Sequence, residues 1–394
     1  DTGEIWVSYY DVTNGDLKVA RYWGRNGNCG PDDSWLCQTV DSAGDVGQYS
    51  SIAVWKHKLM VSYFDASNKN LKMAISDDNL HWVWDIYTLD KALGNTPSTG
   101  LHTSAQFSDT GQEFLAYYFD NPAGVDALKV DYHTYANGNC PGPGVETTWR
   151  CDTIISGEGV GQYPSLVVTG GVDFDVHMAY HNAATGQLWF ATTLCPATCN
   201  CGFWDGDMAC YPISGDTAEV GKYASLYMGS DDRFHIAYYD VTHRLLKYAV
   251  QTDGTEGNCG ILNSAQCDTI DSMPGDYHPL GISMAEDING FPVIAYQSVY
   301  GELNWARPLA ALGWSGQNGN CGPENPLATW YCETIDGPGP WVPYRNGDFV
   351  SLAISPSGMA TIAFYRLYTE HNDGNLTVSQ QIPYEVFLPI VMRY

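Results

Sequence analysis

The stretch RFHIAYYD at residues 233–240 recurs, with drift, along the whole chain. Its counterparts are EIWVSYYD (4–11), KLMVSYFD (58–65), EFLAYYFD (113–120), DVHMAYHN (175–182), FPVIAYQS (291–298) and MATIAFYR (359–366). Aligned on Tyr9, Tyr63, Tyr117, Tyr180, Tyr238, Tyr296 and Phe364, the seven copies lie 54, 54, 63, 58, 58 and 68 residues apart. Length alone would suggest two or three domains for 394 residues. A repeat overrides that default, because units that cannot bury their own faces stack and share a core.

Each unit carries three further echoes. A short apolar strand precedes the quoted one, as in YSSIAV (49–54), YPSLVV (163–168), YASLYM (223–228), YHPLGISM (277–284) and FVSLAIS (349–355). A third strand follows an Asn/Gly-rich turn, as in DLKVA, NLKMA, ALKVD, QLWFA, LLKYA and ELNWA. A variable loop carrying NGNCG or a variant leads to a fourth, as in WLCQTVD, WRCDTII, AQCDTID and WYCETID. Each unit is thus a four-stranded antiparallel meander. HIAYY and FPVIAY lack strict in/out alternation, as strands buried on both faces do. Radial stacking of such sheets gives an all-β, seven-bladed β-propeller. It is expected as one domain over 1–394, with blades near 1–48, 49–98, 99–162, 163–222, 223–276, 277–347 and 348–394.

Composition agrees with this reading and narrows the partners. The chain is 44% apolar and 16% charged, with 27 Tyr and 13 Trp, which suits strands rather than disorder. Its net charge of −27 repels phosphate backbones, so nucleic acid is not an expected partner. The same charge makes Ca²⁺ a candidate ligand; no other cofactor is implied. No run of 18 apolar residues exists, so no membrane span is expected.

Twelve cysteines fall mostly in short pairs at one phase of the repeat: Cys29/Cys37, Cys140/Cys151, Cys201/Cys210, Cys259/Cys267 and Cys321/Cys332, with Cys195 and Cys199 side by side. Even, repeated, short-range pairs point to disulfides that staple the outer strands, and to an oxidising compartment. Zinc held by Cys195, Cys199, Cys201 and Cys210 is the alternative. With no apolar leader before Asp1, the chain reads as a mature secreted protein at the cell surface or outside the cell. Asn375-Leu376-Thr377 is a single glycosylation sequon.

The two ends depart from the repeat. DTGEIWVSYYD (1–11) matches DTGQEFLAYYFD (109–120), so residues 1–4 read as a first-to-second strand turn, and the first unit has no innermost strand. The tail YEVFLPIVMRY (384–394) is expected to be the outer strand of the last unit. An open edge of this kind is a site for strand addition and self-assembly.

The SLAV-like inner strand followed by IAYYD resembles the sialidase-like, BNR-repeat class of propellers along nearly the whole chain. SDDNLHW (76–82) resembles the Asp-box of that class, Ser-x-Asp-x-Gly-x-x-Trp, but is one residue short and has Leu80 where a turn residue is expected. The resemblance implies the propeller fold, with Ser76, Asp78 and Trp82 as parts of a structural hairpin. It would imply sialidase activity only with three arginines around a carboxylate, a Tyr/Glu nucleophile pair and an Asp acid. Of nine arginines, only Arg345 and Arg366 fall where loops would reach a central funnel, so the activity is not carried over. The VFLPIV tail resembles aromatic-Leu-Pro tails of some secreted bacterial proteins.

Candidate ligand-binding residues come from the blade-to-blade loops DSAGDVGQY (41–49), SGEGVGQY (156–163), GDTAEVGKY (215–223) and DSMPGDY (271–277). These present Tyr49, Tyr163, Tyr223 and Tyr277, with Asp45, and aromatic faces suit the C–H-rich faces of sugars. Candidate catalytic residues come from departures from the repeat. DGPGPWVPYRNGD (336–348) and FYRLYTEHNDGN (364–375) bring Trp341, Tyr344, Arg345, Arg366, Tyr368, Glu370 and His371 to one sector; His278 replaces the small or Pro residue that follows the loop Tyr, and NTPSTGLHTS (95–104) places His102 at an inner strand. Trp341 is also a candidate ligand contact. Arginine neutralising a uronate, with His or Tyr removing the α-proton, would make a polysaccharide lyase. Paired carboxylates would make a glycoside hydrolase. The leading expectation is a secreted, disulfide-stapled binding or surface-interaction module for an extracellular glycan or protein. The alternatives are a carbohydrate-active enzyme and a structural subunit of an extracellular assembly.

Overall fold

A computed structural model describes residues 3–76, 82–92, 97–140, 148–171, 173–195, 199–202, 207–215, 219–254, 256–272, 281–298, 300–313, 318–321, 329–337, 344–368, 373–382 and 386–391. Strands take up 62% of the chain and helix 3%, so the protein is all-β, a seven-bladed β-propeller. Among the described residues there are six four-stranded sheets and one of three strands, all antiparallel.

The first sheet holds β1 (Trp6–Asp11), β2 (Asp16–Tyr22) and β3 (Trp35–Asp41). The second holds β4 (Val46–Trp55), β5 (Lys58–Asp65), β6 (Asn70–Ser76) and β7 (Asp85–Asp90). The third holds β8 (Ser98–Phe107), β9 (Glu113–Asp120), β10 (Ala127–His133) and β11 (Trp149–Ser156). The fourth holds β12 (Val160–Gly170), β13 (Phe174–Asn182), β14 (Gln187–Thr192) and β15 (Ala209–Pro212). The fifth holds β16 (Val220–Met228), β17 (Phe234–Asp240), β18 (Leu245–Gln251) and β19 (Ala265–Ser272). The sixth holds β20 (Ile282–Glu286), β21 (Pro292–Gln297), β22 (Leu303–Pro308) and β23 (Trp330–Asp336). The seventh holds β24 (Tyr344–Ile354), β25 (Ala360–Tyr368), β26 (Asp373–Ile382) and β27 (Val386–Val391). Contacts divide the chain into two compact units: residues 6–21 and 37–212, and residues 1–5, 22–36 and 213–394.

The repeat seen in sequence is a repeat of register. Tyr9 pairs with Lys18, Tyr63 with Lys72, Tyr117 with Lys129, Tyr180 with Trp189, Tyr238 with Lys247, Tyr296 with Asn304 and Phe364 with Thr377. Six of these seven aromatics are fully buried, and Tyr9 of the three-stranded sheet is half-buried. Burying one such ring contributes about 1.5–3 kcal/mol, which is why the position keeps its aromatic when its neighbours drift.

The polar end of that aromatic is used between sheets. Tyr63 donates to Asp41 (2.7 Å), Tyr117 to Asp90 (2.6 Å) and Tyr296 to Asp271 (2.7 Å). Each acceptor is an aspartate at or near the end of the preceding sheet's outer strand. Lys72 and Lys129 reach Asp41 and Asp90 to complete ion pairs. The Asp that closes the YYD motif has a local role. Asp11 accepts from the N–H groups of Thr13 (3.0 Å) and Asn14 (3.2 Å), Asp65 from Asn68 and Asp240 from His243, each an Asx turn into the third strand.

All twelve cysteines are disulfide-bonded, as Cys140–Cys151, Cys195–Cys199, Cys201–Cys210, Cys259–Cys267 and Cys321–Cys332, which leaves Cys29 with Cys37. This corrects the zinc alternative: the four sulfurs of Cys195, Cys199, Cys201 and Cys210 are bonded in two pairs and carry no thiolate for a metal. The tail strand β27 pairs antiparallel with β26, as expected of an outer strand.

Candidate functional site

The inner strands share an unusual backbone device. In β4, β8, β12, β16 and β24 a glycine at φ +107, +96, +99, +97 and +87 (Gly47, Gly100, Gly161, Gly221, Gly347) is followed two residues later by an aromatic at φ between +52 and +55. Those aromatics are Tyr49, His102, Tyr163, Tyr223 and Phe349. The ladder shifts register across this segment in each strand, so it is a bulge.

The glycines are needed for a second reason besides φ. A Cβ on Gly47 would sit 2.7 Å from the Cα of Leu17, on Gly100 2.8 Å from that of Leu71, and on Gly161 2.7 Å from that of Leu128. The bulge therefore packs backbone to backbone on the third strand of the preceding sheet. The aromatic that follows has no such excuse. A non-glycine residue in the left-handed region costs about 1–2 kcal/mol. A position that repeats this strain in five sheets is held there by packing or by use.

In the unit of residues 6–21 and 37–212, three of these side chains form a row. The ring of His102 lies 4.4 Å from Tyr49 and 4.3 Å from Tyr163, centroid to centroid. Thr103 donates its hydroxyl to the carbonyl of Tyr49 (2.7 Å) and receives one from Ser62 (2.8 Å), fixing one strained residue against the next strand. Tyr49 is 40% exposed, so much of its ring meets solvent. Burial lowers the pKa of His102 to about 4, which keeps the imidazole neutral at physiological pH. Burial, then the neighbouring Tyr163, raises that of Tyr49. The centre of the row is thus a neutral imidazole.

Asp45, in the loop before Tyr49, accepts from Tyr10 Oη (2.7 Å) and from Gln48 Nε2 (3.3 Å), and its N–H donates to Ser67 Oγ (2.8 Å). It ties loops together. In the other unit, Tyr223 packs edge-on to Tyr239 (6.4 Å), while Phe349 is 64% exposed. Phe349 is absent from the sequence-derived candidates, although N-G-D-F at 346–349 repeats the spacing of V-G-Q-Y at 46–49.

The last-blade sector is described only in part. Arg366 is buried and its guanidinium pairs with Asp336. Asp336 ends its outer strand as Asp41 ends β3, so this pair repeats the Tyr–Asp–Lys contacts of other sheets. Tyr344, Arg345 and Tyr368 lie in strands β24 and β25, with Tyr344 paired to Tyr368 and Arg345 to Leu367. Tyr277, His278, Trp341, Glu370, His371 and Asp78 lie outside the described residues. Ser76 is buried, and Trp82 packs on Trp6 at 5.0 Å and accepts from Gln38 through its carbonyl. Among the described residues, the one grouping of metal-ligand types is Asp131 with Cys140 and Cys151, whose sulfurs are bonded to each other.

Fold and site together define a seven-bladed β-propeller with strained aromatics on its inner strands. No family model matches the chain, and no curated protein matches it. Solved structures do. A polysaccharide lyase, an ulvan lyase bound to -[GlcA(1-4)Rha3S]-, is 12% identical over 86% of this chain and 81% of its own, with a TM-score of 0.50. A fucose-specific lectin from Aleuria aurantia is 11% identical over 87% and 94%, with a TM-score of 0.45. A Hadza microbial sialidase is 11% identical over 76% and 62%, with a TM-score of 0.43. At these identities the likeness is one of fold.

Proposed function

We propose that this chain is a carbohydrate-binding propeller that takes neutral sugars on the aromatics of its inner-strand bulges. The observation that carries the reading is His102 seated between Tyr49 and Tyr163 at 4.4 and 4.3 Å, all three in the left-handed region. Strain of about 1–2 kcal/mol per residue is retained where a side chain must be aimed. Flat aromatic rings with polar edges suit a sugar, whose C–H face stacks and whose hydroxyls bond at the rim. The net charge of −27 disfavours polyanionic glycans. Six disulfides fit an extracellular setting. Secretion and membership of the sialidase-like, BNR-type class belong to the same proposal.

A glycan array probed with the wild type and with Tyr163→Ala tests it. The expected result is a set of neutral glycans bound by the wild type and lost in the variant. Equal binding by both proteins, or binding confined to acidic glycans, would remove the reading.

A further inference from the structure

One third strand breaks the repeat in the core. β2, β6, β14, β18 and β22 place Ala20, Ala74, Ala191, Ala249 and Ala306 at one register position, and β26 places Ser379 there. β10 has an acid, Asp131, and it is fully buried. Within the unit of residues 6–21 and 37–212 it joins a group drawn from two neighbouring sheets: Asp90 at the end of β7, Thr99 of β8, Tyr117 of β9 and Lys129 of β10. All five residues are buried.

Asp90 Oδ2 is their common point. Lys129 Nζ is in ion-pair contact with it, Thr99 donates to it (3.0 Å), and Tyr117 Oη lies 2.6 Å away. The same Tyr117 oxygen lies 2.8 Å from Asp131 Oδ1. A phenol has one proton to donate, so both contacts are satisfied only if one carboxyl carries a proton of its own. Asp90 already receives Lys129 and Thr99, so that proton belongs to Asp131. Asp131 Oδ2 agrees, being buried with no hydrogen-bond partner among the described residues. Burial, and then the charge of Asp90, raise the pKa of Asp131 well above the ordinary carboxylate range. A hydrogen-bonded path thus runs from Asp131 through the Tyr117 hydroxyl to the carboxyl that Lys129 touches. Aromatic rings wall it in, with Lys129 Nζ 5.5 Å from the centroid of Tyr117 and 5.7 Å from that of Phe119.

We propose that Lys129 and Asp90 condense into an amide bond that ties the second sheet to the third, with Asp131 and Tyr117 as the proton relay. The Lys129 ammonium passes one proton to Asp90 Oδ2 and attacks Cγ as an amine, forming the C–N bond. Asp131 gives its proton through Tyr117 to Oδ2, which breaks from Cγ and leaves as water, and Asp131 is reprotonated from the nitrogen. One ammonium and one carboxylate become one amide and one water, with no other reactant. Two groups held in contact react with effective molarities of about 10⁵–10⁸ M, and the product removes a buried ion pair whose desolvation is costly. The second sheet supplies an internal control. Lys72 pairs with Asp41, and Tyr63 donates to Asp41 (2.7 Å), but Ala74 stands where Asp131 would be. That pair lacks the second carboxyl and stays ionic.

Mass spectrometry of the purified 394-residue protein tests this. The intact mass is expected one water below that of the chain with its six disulfides. After reduction, trypsin should cut after Lys72 but not after Lys129, and fragmentation should find residues 73–91 joined to residues 92–150 as one branched peptide. Asp131→Asn, and Asp131→Ala with the residue that five sister strands carry, should both fold, recover the missing water and be cut after Lys129. A wild type of full mass, separate peptides 73–91 and 92–129, a branch that survives in both variants, or a Lys72–Asp41 branch beside the first would each overturn the proposal.

Discussion

The imidazole of His102 lies 4.3 Å from the ring of Tyr163, and both residues are in the left-handed region at φ +52 and +53. They come from neighbouring sheets and occupy the same place in the repeat. That place combines a glycine no other residue can replace with an aromatic that the backbone disfavours.

The first prediction concerns the strain itself. Phe349→Gly removes a 64% exposed ring held at φ +54. Relief of about 1–2 kcal/mol exceeds the roughly 0.5–1 kcal/mol that glycine loses to chain entropy. The variant should unfold at equal or slightly higher urea concentration than the wild type. A loss of more than about 2 kcal/mol would show that the ring is held there by packing.

Acid should destabilise the fold through its histidines. His177 is buried with Nδ1 2.8 Å from Thr192 Oγ1, and burial lowers its pKa to about 4, as it does for His102. The folded value lies below the free imidazole value of about 6.5, so the unfolded chain takes up the proton first. Stability is therefore full above about pH 6.5 and falls toward pH 4, by up to about 3 kcal/mol for His177. Urea midpoints between pH 7.5 and 4.5 measure this, and His177→Gln should flatten the curve. An unchanged slope in the variant would contradict it.

Arg366 gives a prediction that separates scaffold from chemistry. Arg366 is buried and its ion-pair partner Asp336 is largely so. Arg366→Met alone should cost about 3–5 kcal/mol, because it takes the guanidinium away from a largely buried carboxylate, and adding Asp336→Asn should recover most of that. Glycan binding by the double variant should match the wild type. Recovered stability with lost binding would return Arg366 to the ligand.

The disulfides should act on stability alone. Closing the eight-residue separation between Cys259 and Cys267 contributes about 2–3 kcal/mol on the chain-entropy estimate. The double serine variant should lose that amount in urea titration and keep its glycan profile. Loss of binding at full stability would contradict a purely mechanical role.

The parts of the fold that repeat were legible in the sequence. Seven copies of one strand gave the seven sheets, and the match of residues 1–11 to 109–120 gave the three-stranded first sheet. The cysteine pairs followed because both partners sit in one hairpin. The site was half legible. Tyr49 and Tyr163 stand out by the repeated loops and His102 as a departure from the repeat, but a positive φ on a non-glycine residue leaves no trace in composition. Phe349 was hidden because the repeated loops end in tyrosine, and only the Gly-x-aromatic spacing relates it to them. The pairing of Arg366 was hidden because Asp336 is thirty residues away and meets it only across two sheets.

The most direct measurement follows the His102 ring itself. In a chain labelled with ¹³C at histidine Cε1, the resonance lost in His102→Phe is assigned to His102, and a neutral glycan from the array is titrated in. The account predicts that this resonance shifts in a saturable way while those of His133 and His235 stay in place. Saturable glycan binding that leaves His102 unmoved would contradict it.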